Sequence, residues 1–174
     1  MMMLVLGGSH SGKSGYAEHL LQQCRVKDRI YLATMQPEGE EAGKVIARHR
    51  RLRQGKGFIT VEKTRQIAML PQGDYRPEES GLLLECMGNL CANEMFGGQD
   101  FISDVAERIL TDIKTLKQQW AELIVVSNIV GEDGIMYDEM TMAYIRNMGV
   151  VNKRLAEMAD HVVELVYGIP VIHK

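Results

Sequence analysis

The chain has 174 residues, 45% of them hydrophobic, a length that suits one domain built around one sizeable core. A formal charge of -3 argues against a general nucleic-acid binder, which carries a basic surplus; the dense cationic cluster is confined to Arg48, Arg50, Arg51 and Arg53 around His49. The cysteines, Cys24, Cys86 and Cys91, lack CxxC spacing, which argues against a disulfide framework or thiolate metal site and fits a reducing cytosol.

In chain order, Met2 to Leu6 is a short apolar run ending at Gly7-Gly8 and reads as a buried strand. It is too short for a signal peptide, and no later stretch reaches the length of a membrane span, so the protein is expected to be cytoplasmic. A helix is expected from Gly12 to Gln23, a strand over Arg29 to Thr34 and a charged, solvated helix over Glu38 to Arg53. A third strand follows over Phe58 to Glu62, then a short helix near Gln66 to Leu70 and a loop over Pro71 to Ser80. Gly81 to Glu85, with three successive leucines, reads as a strand buried on both faces. Helices are expected over Leu90 to Phe96 and Phe101 to Gln119, and a buried strand over Leu123 to Ser127. A glycine-containing loop over Asn128 to Asp138 leads to a helix over Thr141 to Asp160, where Ile145, Met148, Val151, Leu155 and Met158 recur at helical spacing. The chain closes with the apolar run Val162 to Val166 and with Gly168-Ile169-Pro170. Strands alternating with helices predict an α/β fold, a three-layer sandwich around a mostly parallel sheet. No linker divides residues 1–174, and the twelve methionines read mostly as core filler.

Gly7-Gly8-Ser9-His10-Ser11-Gly12-Lys13-Ser14 matches G-x-x-x-x-G-K-[ST] in full, after a strand and before a helix. Glycines let successive N–H groups point into one hollow, and the helix N-terminus adds partial positive charge. Such a loop binds a nucleoside triphosphate by its phosphates. Lys13 is expected to reach the β- and γ-phosphates and Ser14 to ligate Mg²⁺ through its hydroxyl. His10 occupies a variable position, where only its backbone N–H is useful.

The loop leaves the reaction open, and the rest of the chain narrows it. Tyr31-Leu32-Ala33-Thr34, Ile46-Ala47-Arg48-His49-Arg50 with Arg53, Phe58-x-Thr60-x-Glu62, Leu83-Leu84-Glu85-Cys86 with Asn93, Val125-Val126-Ser127-Asn128 with Val130-Gly131, and Gly168-Ile169-Pro170 follow the phosphate loop in order. This colinear set resembles the bifunctional adenosylcobinamide kinase / adenosylcobinamide-phosphate guanylyltransferase family of cobalamin biosynthesis. The resemblance implies a P-loop, RecA-like domain that uses ATP and GTP with Mg²⁺. It implies a corrinoid substrate phosphorylated on a hydroxyl and then joined to GMP through a guanylylated histidine, in a homotrimer.

Within that resemblance His49 falls in the family's histidine segment, and imidazole suits reversible attack on an α-phosphorus. Arg50 and Arg53 would offset phosphate charge beside it. From spacing alone, His49 reads as a surface histidine on a solvated helix. Glu85, at the carboxyl end of a buried strand, suits a carboxylate that orders Mg²⁺ waters; the plainer reading is an exposed strand-end residue. Glu62 is expected to contact nucleotide or base, or else simply to face solvent. The sequence departs from the family pattern at Gln54-Gly55, at Ile129, over Glu132 to Met136 and at Asn147, where the family has Asp. Two alternatives therefore stay open: an enzyme retaining one of the two transfers, and a catalytically reduced nucleotide-binding regulatory protein.

Overall fold

The computed structural model describes all residues except 37–42, 44–46, 48–50, 52 and 72. Among the described residues seven strands form one sheet: β1 (Met2–Gly7), β2 (Arg29–Ala33), β3 (Phe58–Glu62), β4 (Gly81–Glu85), β5 (Glu122–Val126), β6 (His161–Val166) and β7 (Ile169–Ile172). Their order is β3-β2-β4-β5-β1-β6-β7. Every pair is parallel except β6–β7, an antiparallel hairpin at one edge. The described helices are α1 (Lys13–Gln23), α2 (Met87–Phe96), α3 (Ala106–Gln119) and α4 (Glu139–Met158), with a 3₁₀ turn at Pro77–Glu79. Gly43, Ala47, Arg51 and Arg53 are helical, while most of the expected helix over Glu38 to Arg53 lies outside the described residues.

The apolar runs of the central strands follow from burial on both faces. Leu82 and Leu84 enter one core with Leu4, Leu32, Leu123 and Val125, covered by α2, α3 and α4. Leu83 enters the other with Val5, Tyr31, Ile124 and Val126, covered by Ala17 and Leu21 of α1. The result is the three-layer arrangement expected from the sequence. Pro170 is tolerated because β7 is an edge strand, where a missing N–H costs no ladder bond.

Several boundaries differ from the sequence reading, each for a local reason. No helix forms over Gln66 to Leu70: Gln66 is left-handed at φ 51°, and its N–H donates to the buried Glu94 carboxylate at 2.7 Å. The helix expected from Phe101 begins at Ala106, because the Asn147 Oδ1 accepts from the Val105 and Ala106 N–H groups at 2.9 and 3.1 Å. α2 starts at Met87, directly after β4, and α4 starts at Glu139, where the Asp138 side chain accepts from the Met140 and Thr141 N–H groups. α4 ends at Met158; Asp160 instead accepts from the Met2 N–H at 2.6 Å. Of the methionines, Met2, Met87, Met95 and Met148 are core and Met3 and Met158 pack against it, whereas Met1, Met69, Met136 and Met140 are exposed. Among the cysteines, Cys86 and Cys91 are buried and Cys24 is half-buried, all three as free thiols.

Asn147 is 5% exposed and fully employed, since its Nδ2 also donates to the Ser103 and Ala143 carbonyls at 2.8 and 2.9 Å. Asn147→Ala is expected to destabilise the fold by about 1–3 kcal/mol, through unsatisfied amides at the start of α3. Urea unfolding measures this; an unchanged midpoint would remove the capping role.

Candidate functional site

The site begins where β1 ends. A Cβ on Gly7 would lie 2.7 Å from both the Leu165 carbonyl oxygen and the Ser11 Oγ, so only glycine fits against β6 there. Gly12, at φ 92°, makes the left-handed step into α1. The first amides of α1 have no acceptor within the helix, no side chain caps them, and no acidic residue lies in the first turn. This is an anion-seeking helix start. His10 is left-handed at φ 58°, and its ring Nδ1 lies 2.9 Å from the Ser9 hydroxyl.

Lys13 is 7% exposed and folds back to donate to the Gly8 carbonyl at 2.6 Å. Burial pushes its ammonium below the usual lysine range, opposed by the charge of Glu85. The Ser14 hydroxyl donates to the Glu85 Oε1 at 2.7 Å, while the other Glu85 oxygen is buried without a hydrogen-bond partner. Burial raises the Glu85 carboxyl to about 7, against the lowering effects of the Ser14 hydrogen bond and of Lys13. The structure thus brings Lys13, Ser14 and Glu85 to one place, and Glu85 is not the exposed strand-end residue of the plainer reading.

This donor set fits Mg²⁺: a hydroxyl and a carboxylate with a spare oxygen, beside a hollow for phosphate, since Mg²⁺ keeps several waters and takes few protein ligands. Among the described residues no group of three or more His, Cys, Asp or Glu could hold a metal on its own.

His49 and Arg50 lie outside the described residues. Arg53 is described and is 7% exposed. Its guanidinium lies 3.6 Å over the Tyr31 ring, and its Nε and Nη1 have no hydrogen-bond partner. With Arg51, Thr60 and Glu62 it lines an open groove of about 1160 Å³ at the β3 edge. Arg53 and Glu62 therefore share one groove.

The sequence reading missed the residues that fix this frame. Thr34 donates from Oγ1 to the Cys86 carbonyl at 2.8 Å, and Asn93 donates to the Thr34 and Thr64 carbonyls at 2.7 and 3.1 Å. Together they clamp the chain just beyond β2, β3 and β4. Asn93 belongs to the family-like motif, but its spacing carries no hint of this role. Glu94, 4% exposed, pairs with Arg108 at 2.7 Å, and Glu18, also 4% exposed, pairs with Lys56 at 2.5 Å. Neither pair has a sequence signature, because the partners are far apart along the chain. Among the departures, Asp133 accepts from the Ile135 N–H and the Tyr137 hydroxyl, closing the variant loop on itself.

Glu85 binds a proton in the native state at pH values where an unfolded glutamate has lost it. Stability therefore falls as pH rises from about 4.5 to 7 and stays low above. In EDTA, Glu85→Gln is expected to raise stability at pH 8 by about 1–3 kcal/mol, with the gain vanishing near pH 5. Denaturant titrations at the two pH values measure it; a gain independent of pH would contradict the buried, proton-holding carboxylate.

The family model described as cobinamide kinase / cobinamide phosphate guanyltransferase, CobU, matches residues 3–172. The bifunctional adenosylcobalamin biosynthesis protein CobU of Salmonella typhimurium is 33% identical, with 98% of each chain covered. CobP of Pseudomonas aeruginosa, of the same description, is 29% identical over 98% of this chain and 95% of its own. Among solved structures, the flagellar accessory protein FlaH from Methanocaldococcus jannaschii matches with a TM-score of 0.52 at 14% identity, covering 99% of this chain and 77% of that one. A prototypical ATPase from the type III secretion system of pathogenic bacteria matches with a TM-score of 0.53 at 11% identity, covering 95% and 52%. These structures share the P-loop ATPase fold alone, whereas the family match runs nearly end to end: the chain belongs to the cobinamide kinase / cobinamide phosphate guanyltransferase family.

Proposed function

We propose that this chain, acting as one domain over residues 1–174, phosphorylates adenosylcobinamide with ATP or GTP and then transfers GMP from GTP to the resulting phosphate. The observation that carries the kinase half is the Ser14–Glu85 hydrogen bond at 2.7 Å, with the second Glu85 oxygen buried and free at the mouth of the phosphate loop. The backbone of Gly7, Gly8, Ser9, His10, Ser11 and Gly12 cradles the phosphates, and Lys13 exchanges the Gly8 carbonyl for phosphate oxygens. Ser14 and Glu85 would hold Mg²⁺ and its waters. When bound, the ion neutralises charge on the β- and γ-phosphate oxygens. The substrate hydroxyl attacks the γ-phosphorus and loses its proton to water, and the bond to the β-phosphate oxygen breaks to release the diphosphate.

In the second reaction an imidazole nitrogen of His49 attacks the α-phosphorus of GTP and displaces pyrophosphate. An oxygen of adenosylcobinamide phosphate then attacks the same phosphorus, releases the imidazole and forms adenosylcobinamide-GDP. Arg50, Arg53 and Glu62 are the proposed nucleotide contacts for this step. The groove is lined by Arg51 and Arg53 beside Glu62, and the two guanidinium groups support an anionic ligand there. The reading takes in a cytoplasmic homotrimer acting on small molecules, the trimer being what the sequence resemblance implies, and the charge of -3 is in keeping with no nucleic-acid role. Among the described residues no helix is long and apolar enough to cross a membrane.

Incubation with adenosylcobinamide, ATP and GTP is expected to yield the phosphate and then the GDP derivative by mass spectrometry. Lys13→Ala is expected to lower kinase kcat/KM by about 100-fold or more, from lost transition-state charge stabilisation. α-Labelled GTP is expected to leave an acid-labile, base-stable adduct on wild type and none on His49→Ala. Label that persists in His49→Ala would remove the histidine route, and a product stopping at the phosphate would leave a kinase alone.

A further inference from the structure

The turn after β5 is held without the Asn128 side chain. Ser127, fully buried, donates from its hydroxyl to the Asn152 Oδ1, and Asn152 donates to the Asn128 carbonyl at 2.9 Å. Among the described residues the Asn128 carboxamide itself makes no hydrogen bond, although the residue is half-buried. A carboxamide carries two donors and an acceptor oxygen, so one left unpaired at a strand end is available to a ligand.

Its place follows from register. Val5 pairs with Val126, and the ladder runs on past both: the Ser127 N–H donates to the Val5 carbonyl at 2.9 Å and the Ile129 N–H to the Gly7 carbonyl at 3.2 Å. Asn128 therefore lies beside Gly7, one strand spacing away, roughly 5 Å, where the phosphate loop begins. β5 stands between β1 and β4, so Glu85 ends the strand on its other side. Side chains alternate along a strand. Leu83 and Val126 face the core under α1, and Glu85 and Asn128, each two residues further on, turn to that same face.

Gly88 leaves the room. A Cβ there would lie 3.0 Å from the Asn128 Nδ2 and 3.1 Å from the Tyr144 hydroxyl, so any side chain at the second position of α2 would press on the carboxamide. Under the proposed function Lys13 and the Ser14–Glu85 pair flank the terminal phosphate. In-line transfer puts the attacking oxygen on the side of the γ-phosphorus away from the leaving diphosphate. Asn128, past the end of the strand between the loop and Glu85, borders that side.

We propose that the Asn128 carboxamide holds the acceptor hydroxyl of the corrinoid in line with the γ-phosphorus, as a catalytic residue of the kinase step. The proposal rests on the reading of Gly7 to Ser14 with Glu85 as the phosphoryl-transfer site. The carboxamide oxygen accepts from the hydroxyl, and Nδ2 donates to a γ-phosphate oxygen. The amide takes no proton. The hydroxyl oxygen bonds to the γ-phosphorus, the bond to the β-phosphate oxygen breaks, and the hydroxyl proton passes to water. Formation of the His49 adduct does not involve the acceptor hydroxyl and makes no use of this contact.

Wild type, Asn128→Ala and Asn128→Asp are compared for adenosylcobinamide phosphorylation, for MgGTP binding by calorimetry, for adduct yield with α-labelled GTP and for melting temperature. Asn128→Ala is expected to lower kinase kcat by about 10- to 100-fold, with MgGTP affinity, adduct yield and melting temperature unchanged. The carbonyl bond to Asn152 survives the substitution, so the turn stays in place. Asn128→Asp keeps the shape but loses the donors and sets a charge against the phosphate, and is expected to lose at least as much. A wild-type kcat in either variant would overturn the role. Equal losses of kcat and adduct yield would overturn it too, since they mark a collapsed turn. A wild type that binds MgGTP yet forms no corrinoid phosphate would instead take down the kinase reading, and this assignment with it.

Discussion

The Ser14 hydroxyl meets the Glu85 carboxylate at 2.7 Å, and the contact exists because β5 lies between β1 and β4 in a parallel sheet. Parallel pairing brings the carboxyl ends of all three strands to one edge, where a loop after β1 and a residue ending β4 can meet. The meeting is costly in the absence of ligand. Among the described residues one Glu85 oxygen is buried and unpaired, and the buried Lys13 donates to the Gly8 carbonyl. Under the proposed function a polyphosphate with its cation would supply partners to both groups, and the unpaired oxygen would be a stability cost of the kind tolerated at functional sites.

What surrounds that edge is held by amide side chains. Asn93 ties Thr34 to Thr64, so the exits of β2 and β3 keep fixed spacing beside Glu85. Asn152 accepts from the Ser127 hydroxyl at 2.5 Å and donates to the Asn128 carbonyl at 2.9 Å, fixing the turn after β5. Asn147 belongs to the same class of residue: it stands where an aspartate is expected, and three of its four hydrogen bonds tie the start of α3 to α4, the fourth going to the Ala143 carbonyl within α4. That departure lies in the scaffold. The variant segment from Glu132 to Met136 is exposed and organised by Asp133 within itself, so it does not enter the Lys13–Ser14–Glu85 cluster.

Much of the fold was legible because both signals behind it are local. Alternation of strand and helix patterns marks the layers, and the glycines at positions 7 and 12 mark the loop, since backbone shape there admits little else. Helix starts are legible only where the cap precedes the helix in sequence. Asp138 has that signature, but α3 is capped by Asn147, more than forty residues downstream. The turn at Gln66 escapes a sequence reading for the same reason, since its conformation is fixed by Glu94. Glu85 stands out in sequence as a strand-end carboxylate, yet its raised proton affinity comes from burial, opposed by Ser14 and Lys13 of α1, which only the fold brings to the end of β4. The Arg53–Tyr31 stack likewise has no trace in residue spacing.

The β3 groove and the phosphate loop are separated by several strands but are not independent. Lys56, which follows Arg53 in the chain, donates to Glu18 of α1 at 2.5 Å, and its carbonyl accepts from Gln22 of the same helix. The chain bordering the groove is thus tied to the helix that carries the phosphate loop at its start. Electrostatics run the same way: Glu18 raises the proton affinity of Glu85 and Arg53 lowers it. The border of the groove and the phosphate loop thus meet on one helix, since α1 carries Ser14, Glu18 and Gln22 together.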